Sequence, residues 1–297
     1  MNRSVDMSGA TVVLTGASRG IGLEISRALA AQGANLIGIA RDKVQLAQWA
    51  KEISEQGAQV EAIAFDLSDT DHIGDLATDV ERCIQRLPSQ RIDALINNAG
   101  IEIYRAFEAY QLEEIERVIR VNLISAMLLT RLLLPSMSSR SHIVNMASLA
   151  AKKGHPYDSA YAASKAGLLM WSHSLHQELA DWGPSVSAIC PGYVVDSGML
   201  ADTGVAAPWM AGRSQSKAVA SAVLNAIKHR KTEVVINQNG VLSAATRCLL
   251  AIEQLFPGIN ALSNRWMGVT QTNQKRTSAH SFNRTQKADK TALSTPS

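Results

Sequence analysis

The chain has little of what secreted, metal-binding or membrane-spanning proteins depend on. Its 297 residues include three cysteines, Cys83, Cys190 and Cys248, far apart and set among apolar neighbours. That spacing offers neither a disulfide framework nor a thiolate metal site, and it suits a reducing compartment. No uninterrupted run of about 18 apolar residues occurs, which argues against a spanning helix. The first residues, MNRSVDMSGA, lack the apolar stretch of a signal peptide. No repeat at a solenoid period is visible. Charge of one sign is also scarce outside the C-terminus. The formal charge is +3, and residues 271–297 hold Lys275, Arg276, Arg284, Lys287 and Lys290 against the single acid Asp289. The rest of the chain is therefore nearly neutral, which disfavours a nucleic-acid-binding face. The expected setting is the cytoplasm.

What is present is enough for one large α/β core: 46% of residues are hydrophobic and 19% charged. Apolar runs that read as buried strands alternate with helix-periodic segments, the signature of a doubly wound parallel sheet. The first run, Thr11–Thr15, leads directly into Gly16-Ala-Ser18-Arg19-Gly20-Ile21-Gly22 and then a helix that stops at Gly33. A strand, a glycine turn and a helix N-terminus make an anion site, because free amides and the helix dipole face one point. Gly16 and Gly20 permit the tight turn and close phosphate approach, and Gly22 lets the helix pack on the strand.

The second strand, Asn35–Ala40, ends at Arg41 with no acid before it. An acid near this point grips a ribose 2′-hydroxyl, whereas an arginine accommodates a 2′-phosphate. With Arg19 adding a second positive charge, the reading is NADP(H) rather than NAD(H). Asp66, closing the third strand at Val60–Phe65, could receive an adenine amino group or cap its own loop, with Leu67 beside it. The fourth strand, Ala94–Ile96, ends in Asn97-Asn98-Ala99-Gly100, small and polar where backbone must approach a ligand.

A fifth run, His142–Ala147, precedes Ser148, and a helix after Pro156 carries Tyr161 and Lys165 four residues apart on one face. A phenol ionises near pH 10, and a neighbouring ammonium favours its phenolate, so the pair is expected to bring Tyr161 toward neutral pH. Such a tyrosine exchanges a proton with a carbonyl being reduced or an alcohol being oxidised, and Ser148 could hydrogen-bond the same oxygen. Tyr157 is a rival phenol, but it has Tyr161 rather than lysine four residues on.

These marks together resemble the short-chain dehydrogenases/reductases. TGASRGIG (Thr15–Gly22), NNAG (Asn97–Gly100), Asn122 in VNL, Ser148 and Tyr161-x-x-x-Lys165 come in that family's order and spacing across roughly residues 9–237. The resemblance implies a Rossmann-type, mainly parallel seven-stranded sheet with helices on both faces. It implies that Ser148 orients the substrate oxygen, Tyr161 is the general acid/base and Lys165 binds the nicotinamide ribose. Asn122 would hold a water linking Lys165 to solvent. Pro191, Gly192 and Val194 fit the family's Pro-Gly-x-Val-x-Thr segment near the nicotinamide, but Asp196 stands where that threonine is expected, with Ser197 a substitute after a loop shift. A homodimer or homotetramer through the helices carrying Asn122 and Tyr161 is the family expectation.

The sequence thus divides into a catalytic region at 1–237, an amphipathic helical extension at 238–269 broken at Pro257-Gly258, and a disordered basic tail at 270–297. The extension is expected to cap the substrate pocket or pack, with peripheral membrane contact through 241–269 the lesser reading. Acid as well as base interrupts its apolar face. Met199, Leu200, Val205, Trp209 and Met210 would line a lid. The activity expected is NADP(H)-dependent interconversion of a lipophilic ketone or aldehyde with its alcohol, with no metal. A 3-oxoacyl-thioester reductase is the alternative, and a non-catalytic NADP(H)-binding sensor is the alternative outside the enzymes.

Overall fold

The structure is a computed structural model that describes residues 7–208, 213–237 and 240–277, with backbone alone at 240–242 and 257. Its centre is a seven-stranded parallel sheet built from β1 (Thr11–Thr15), β2 (Asn35–Ala40), β3 (Val60–Ala64), β4 (Ala94–Asn97), β5 (His142–Met146), β6 (Ser185–Pro191) and β7 (Glu233–Ile236). The strand order is 3-2-1-4-5-6-7, with the reversal between β1 and β4. Parallel strands need crossovers, and these put helices on both faces, so the strands are apolar on both sides. Along β1, Val12 and Leu14 face one core with Ile25, Leu29 and Val223, while Val13 faces the other with Val80, Leu129 and Leu133.

Helices α1 (Gly20–Ala30), α2 (Lys43–Ser54), α3 (Ile73–Ile84), α4 (Leu112–Ile119), α5 (Ser125–Leu133), α6 (Ser159–Glu178) and α7 (Ser216–His229) complete the layers. The sequence reads as one helix from Leu112 to Leu134, but α4 and α5 are joined by a π-helical segment, Arg120–Ile124. Such bulges are uncommon and concentrate at functional sites. This one carries Asn122. The stretch Leu112–Ser136 is long and apolar enough to cross a membrane, yet Val118, Leu129 and Leu133 are fully buried in the protein.

A buried polar chain fixes the catalytic helix to the sheet. Asn97 donates to Asn145 (2.8 Å) and Thr130 (3.0 Å), and Asn145 donates to Ser172 on α6 (2.9 Å). Inside a protein such bonds define register as well as stability, since each unmet partner would cost about 1–3 kcal/mol.

Beyond β7, α8 (Gly240–Leu255) and α9 (Pro257–Trp266) meet at Phe256, and residues 269–277 form a further helix. The expectation of a disordered tail from residue 270 therefore fails over its first turns. Its composition is polar on average, but Asn273 and Arg276 are fully buried. Asn273 donates to the Pro156 carbonyl (2.9 Å), and Arg276 donates to the Tyr104 hydroxyl (2.9 Å). Residues 278–297 of the expected tail, and Trp209 and Met210 of the expected lid, lie outside the described residues.

Candidate active site

The nucleotide end of the site is assembled from backbone. Gly16 and Gly20 take positive φ angles, 65° and 56°, so the turn after β1 folds back where a side chain would be strained. A Cβ at Gly22 would overlap the Gly16 carbonyl oxygen, so only glycine lets α1 start so close to the strand. Thr15 accepts from the amides of Asn98 and Ala99 (both 3.0 Å), and the Asn98 amide donates to the Thr15 and Gly16 carbonyls (3.0 and 3.1 Å). Two loops from either side of the sheet reversal are thereby locked together. No side chain caps the start of α1 at Arg19, which leaves its first amides for an anion. Ser18 lies within this turn, and Ile21 lines the pocket beyond it. These features fit a bound dinucleotide pyrophosphate.

The arginines expected to meet a 2′-phosphate are each paired with an acid. Arg41 Nη1 lies 3.6 Å from Asp66, and Arg19 Nη1 lies 2.6 Å from Asp202. Both arginines are more than half exposed, 60% and 58%, so exchanging a carboxylate for a phosphate is cheap. Asp42, next to Arg41, is committed elsewhere: it caps α2 by accepting from Val44 and Gln45. Asp66 serves as the loop cap, accepting from the Ser68 amide (3.0 Å) and hydroxyl (2.7 Å), while its other oxygen faces Arg41 and Arg117. Burial opposes ionisation there, but the Ser68 bonds and the two arginines outweigh it and hold the carboxyl below its usual range. No motif points to Arg117. Leu67 is buried and lines a small cavity behind Asn122.

Ser148, Tyr161 and Lys165 come together in one pocket with Asn98, Gly100, Pro191, Gly192 and Val194. The Ser148 hydroxyl hydrogen-bonds Tyr161, and its oxygen accepts from the Ala150 amide (3.1 Å), which fixes its rotamer. Lys165 Nζ sits 5.7 Å from the Tyr161 ring centre and donates to the Met146 carbonyl (2.8 Å). Tyr157 is not among the pocket-lining residues.

Asn122 does not stand free beside Lys165. Its amide donates to the Ile101 carbonyl and the Ser164 hydroxyl (both 2.9 Å), and its oxygen accepts from the Ile101 amide (2.8 Å). The π-helical segment thus braces the loop after β4 against α6. A Cβ on Gly100 would lie 3.3 Å from both the Asn122 oxygen and Lys165 Nζ, so these groups converge there.

One expectation is corrected here, and one open position is settled. Lys165 was expected to draw the Tyr161 phenol toward neutral pH. Instead burial, and then the Glu102 charge, push that phenol well above its usual value, although Ser148 opposes them. Burial also lowers Lys165 to about 8, with Glu102 pulling the other way. Asp196, in the place of the family threonine, accepts from the Ser216 amide (2.9 Å) and hydroxyl (2.9 Å) and so holds the start of α7. The buried Ser197 hydroxyl has no partner among the described residues and lies 3.9 Å from where a Gly20 Cβ would be. It is the polar group left to meet a ligand at this position.

A buried charged centre beside Tyr161 escaped the sequence reading. Glu102 lines the pocket, and its carboxyl is hydrogen-bonded to that of Asp158 and to the Tyr104 hydroxyl. Two carboxyls in contact must share a proton. Burial and then Glu102 raise Asp158 well above the ordinary range, and burial raises Glu102 as well. Arg276 supplies the compensating charge, its guanidinium stacked 5.0 Å from the centres of both the Tyr104 and Tyr193 rings. Glu102 lies two residues beyond the NNAG segment and Asp158 precedes Tyr161 by three residues, so each stood close to a motif. Arg276 did not.

The far wall comes from the extension: Thr246, Leu249, Leu250, Met267 and Val269 line the catalytic pocket opposite Leu149, Met199 and Leu200. Lys153 on the catalytic loop reaches Glu253 and Ser263 (both 3.3 Å), an ion pair buried on both sides. The extension therefore caps the site.

The family model for short chain dehydrogenase matches residues 10–206. A ketoacyl reductase, HetN, of a Nostoc species is 46% identical over 272 residues, covering 91% of this chain and 93% of that protein. A D-beta-hydroxybutyrate dehydrogenase of Cupriavidus necator is 35% identical over 193 residues, covering 64% of this chain and 72% of that protein. Among solved structures, a metagenomic short-chain oxidoreductase in complex with NADP matches with a TM-score of 0.67 at 32% identity, over 80% of this chain and 100% of its own. An actinorhodin polyketide ketoreductase with NADPH matches with a TM-score of 0.69 at 26% identity, over 79% of this chain and 97% of its own. The chain belongs to the short-chain dehydrogenase/reductase family.

Proposed function

We propose that this oxidoreductase uses NADPH to reduce the ketone of a 3-oxoacyl thioester to the corresponding alcohol. The observation that carries the reading is the Ser148–Tyr161–Lys165 set at the base of a pocket walled by Leu149, Met199, Leu249, Leu250 and Val269. Apolar walls suit an acyl chain, and convergent polar groups at one end suit its keto group. The C-terminal extension is compatible with an oxoacyl substrate, because the ketoacyl reductase relative aligns over 272 residues, more than the catalytic region at 1–237 contains. A simple lipophilic ketone is the broader reading that the same pocket supports.

Bound NADPH would supply a hydride from its nicotinamide. Residues of the glycine turn, with Asn98 and Gly100, would hold it, and Arg41 and Arg19 would meet its additional phosphate. Ser148 donates to the substrate oxygen and aligns it with Tyr161. As the carbonyl carbon takes the hydride, the oxygen takes the Tyr161 proton, leaving an alcohol and a phenolate. Burial keeps the Tyr161 phenol protonated at neutral pH, so it holds the proton that reduction consumes. Lys165 keeps two N–H groups after its bond to Met146, and with Asn122 it would return a proton from solvent.

The test follows NADPH consumption with a 3-oxoacyl thioester and with a monoketone of matched chain length. The thioester should be preferred, and Tyr161→Phe should lower turnover by about a thousandfold or more while leaving NADPH binding intact. Preference for the monoketone would return the broader reading. NADPH binding with no turnover of either would sink both.

A further inference from the structure

The extension looks amphipathic with mixed charge when read as sequence, but folding sorts those charges. Between residues 249 and 266 the charged residues are Glu253 and Arg265 alone. Glu253 is turned inward against Lys153 and Ser263. What faces outward is mostly apolar, with Gln254 and Arg265 the polar exceptions. Ile252 and Leu255 form a stripe on α8, with Phe256 at the elbow, and Ile259, Leu262 and Trp266 form one on α9. Leu255 is 74% exposed, Leu262 67% and Trp266 68%. So many large apolar side chains in so short a segment exceed the scattered exposure normal for a surface.

Charge and continuity identify the occupant. Between residues 249 and 266 the one exposed charge is the cation Arg265, and residues 271–297 add, besides the buried Arg276, four basic residues against one acid. A second copy meeting this face would bring like charges together, whereas an anionic lipid surface attracts them all. Leu249 is both exposed on this side and part of the catalytic pocket wall, so the apolar surface runs into the site. We propose that the α8–α9 elbow is a docking surface for an anionic lipid bilayer. Leu255, Phe256, Leu262 and Trp266 enter the interface, Arg265 meets lipid phosphates, and the pocket opens toward the lipid.

Apolar insertion and basic charge are each marginal as single anchors and effective together. The full chain should co-sediment with vesicles of phosphatidylcholine mixed with phosphatidylglycerol, and much less with phosphatidylcholine alone. Combined Leu255→Ser, Phe256→Ser and Leu262→Ser should lower bound protein about tenfold or more at equal lipid. Arg265→Glu, which keeps the apolar stripe, should weaken binding to the mixed vesicles only. None of these side chains lines the pocket, so turnover of a water-soluble ketone reports that the variants are folded. The proposal is overturned if wild-type protein stays in the supernatant with mixed vesicles, or if the triple variant sediments as wild type does. Equal binding to both vesicle types would overturn the anionic assignment. A variant that instead dissociates a dimer in sedimentation velocity would make a second copy the occupant.

Discussion

The two ends of the site are built on opposite principles. At the nucleotide end, backbone amides, glycines and neutral side chains do the positioning, and its charged groups, Arg19, Arg41 and Asp66, stand well exposed. At the substrate end, Asp158, Lys165 and Arg276 are buried among tyrosines with Glu102 half-buried at the pocket wall, and Lys153 with Glu253 repeats the pattern one layer out. The difference follows from the ligands. A pyrophosphate brings its own charge and needs donors. A ketone brings none, so the charges that adjust proton transfer must belong to the protein and balance one another.

The most severe way to break this contrast is to remove the balancing cation. Arg276→Met leaves the carboxyl pair without its guanidinium and strips Tyr104 of a hydrogen bond, and it should cost about 3–5 kcal/mol of stability. Glu102→Gln in the same chain removes the charged carboxylate and leaves Asp158 protonated, so the double variant should recover at least about 1 kcal/mol relative to additivity. Urea unfolding of the four proteins measures that cycle. Additive behaviour would mean that Arg276 is only a packed side chain and that the substrate end is not held by charge.

The opposite end breaks through space rather than charge. Gly22→Ala drives a methyl group into the Gly16 carbonyl, so the start of α1 must shift away from β1. Overpacking of this kind costs about 1–3 kcal/mol. NADPH affinity should fall with it, and further than in Arg276→Met, as read by fluorescence titration of both variants. If Gly22→Ala binds NADPH like the wild type, the glycine turn is not the pyrophosphate seat.

The same contrast governs what was legible in the sequence. The strands, the sheet class, the glycine turn and Ser148, Tyr161 and Lys165 could all be read, because each is carried by residues adjacent in the chain or one helical turn apart. The helical extension and its role as a cap could be read as well, from its periodicity. The buried centre could not. Arg276 meets Tyr104 across 172 positions, and nothing around residue 276 differs from a solvated polar tail. Nor could the pKa directions be read: the Tyr161-x-x-x-Lys165 spacing suggests a lowered phenol, but burial and Glu102 decide its sign. Asp196 could be read as a departure from the motif, but its use could not: the start of α7, twenty residues on, holds its carboxylate.

The smallest effect is the one that sharpens the nucleotide end. Arg41 pairs with Asp66 at 3.6 Å and is 60% exposed, so Arg41→Ala should alter stability by well under about 1 kcal/mol. Its charge matters only to a ligand that brings a phosphate to that place. NADPH and NADH differ by one such group, the 2′-phosphate, so the variant should raise KM for NADPH about tenfold, near 1.4 kcal/mol, and leave KM for NADH unchanged. Arg19→Ala should do the same more weakly, because Arg19 is drawn toward Asp202 on the far side of the turn. If both coenzymes lose affinity alike, Arg41 holds a part they share, and the preference for NADPH must come from elsewhere. Arg117, which faces the same Asp66 oxygen at 3.9 Å, would then be the residue to change next.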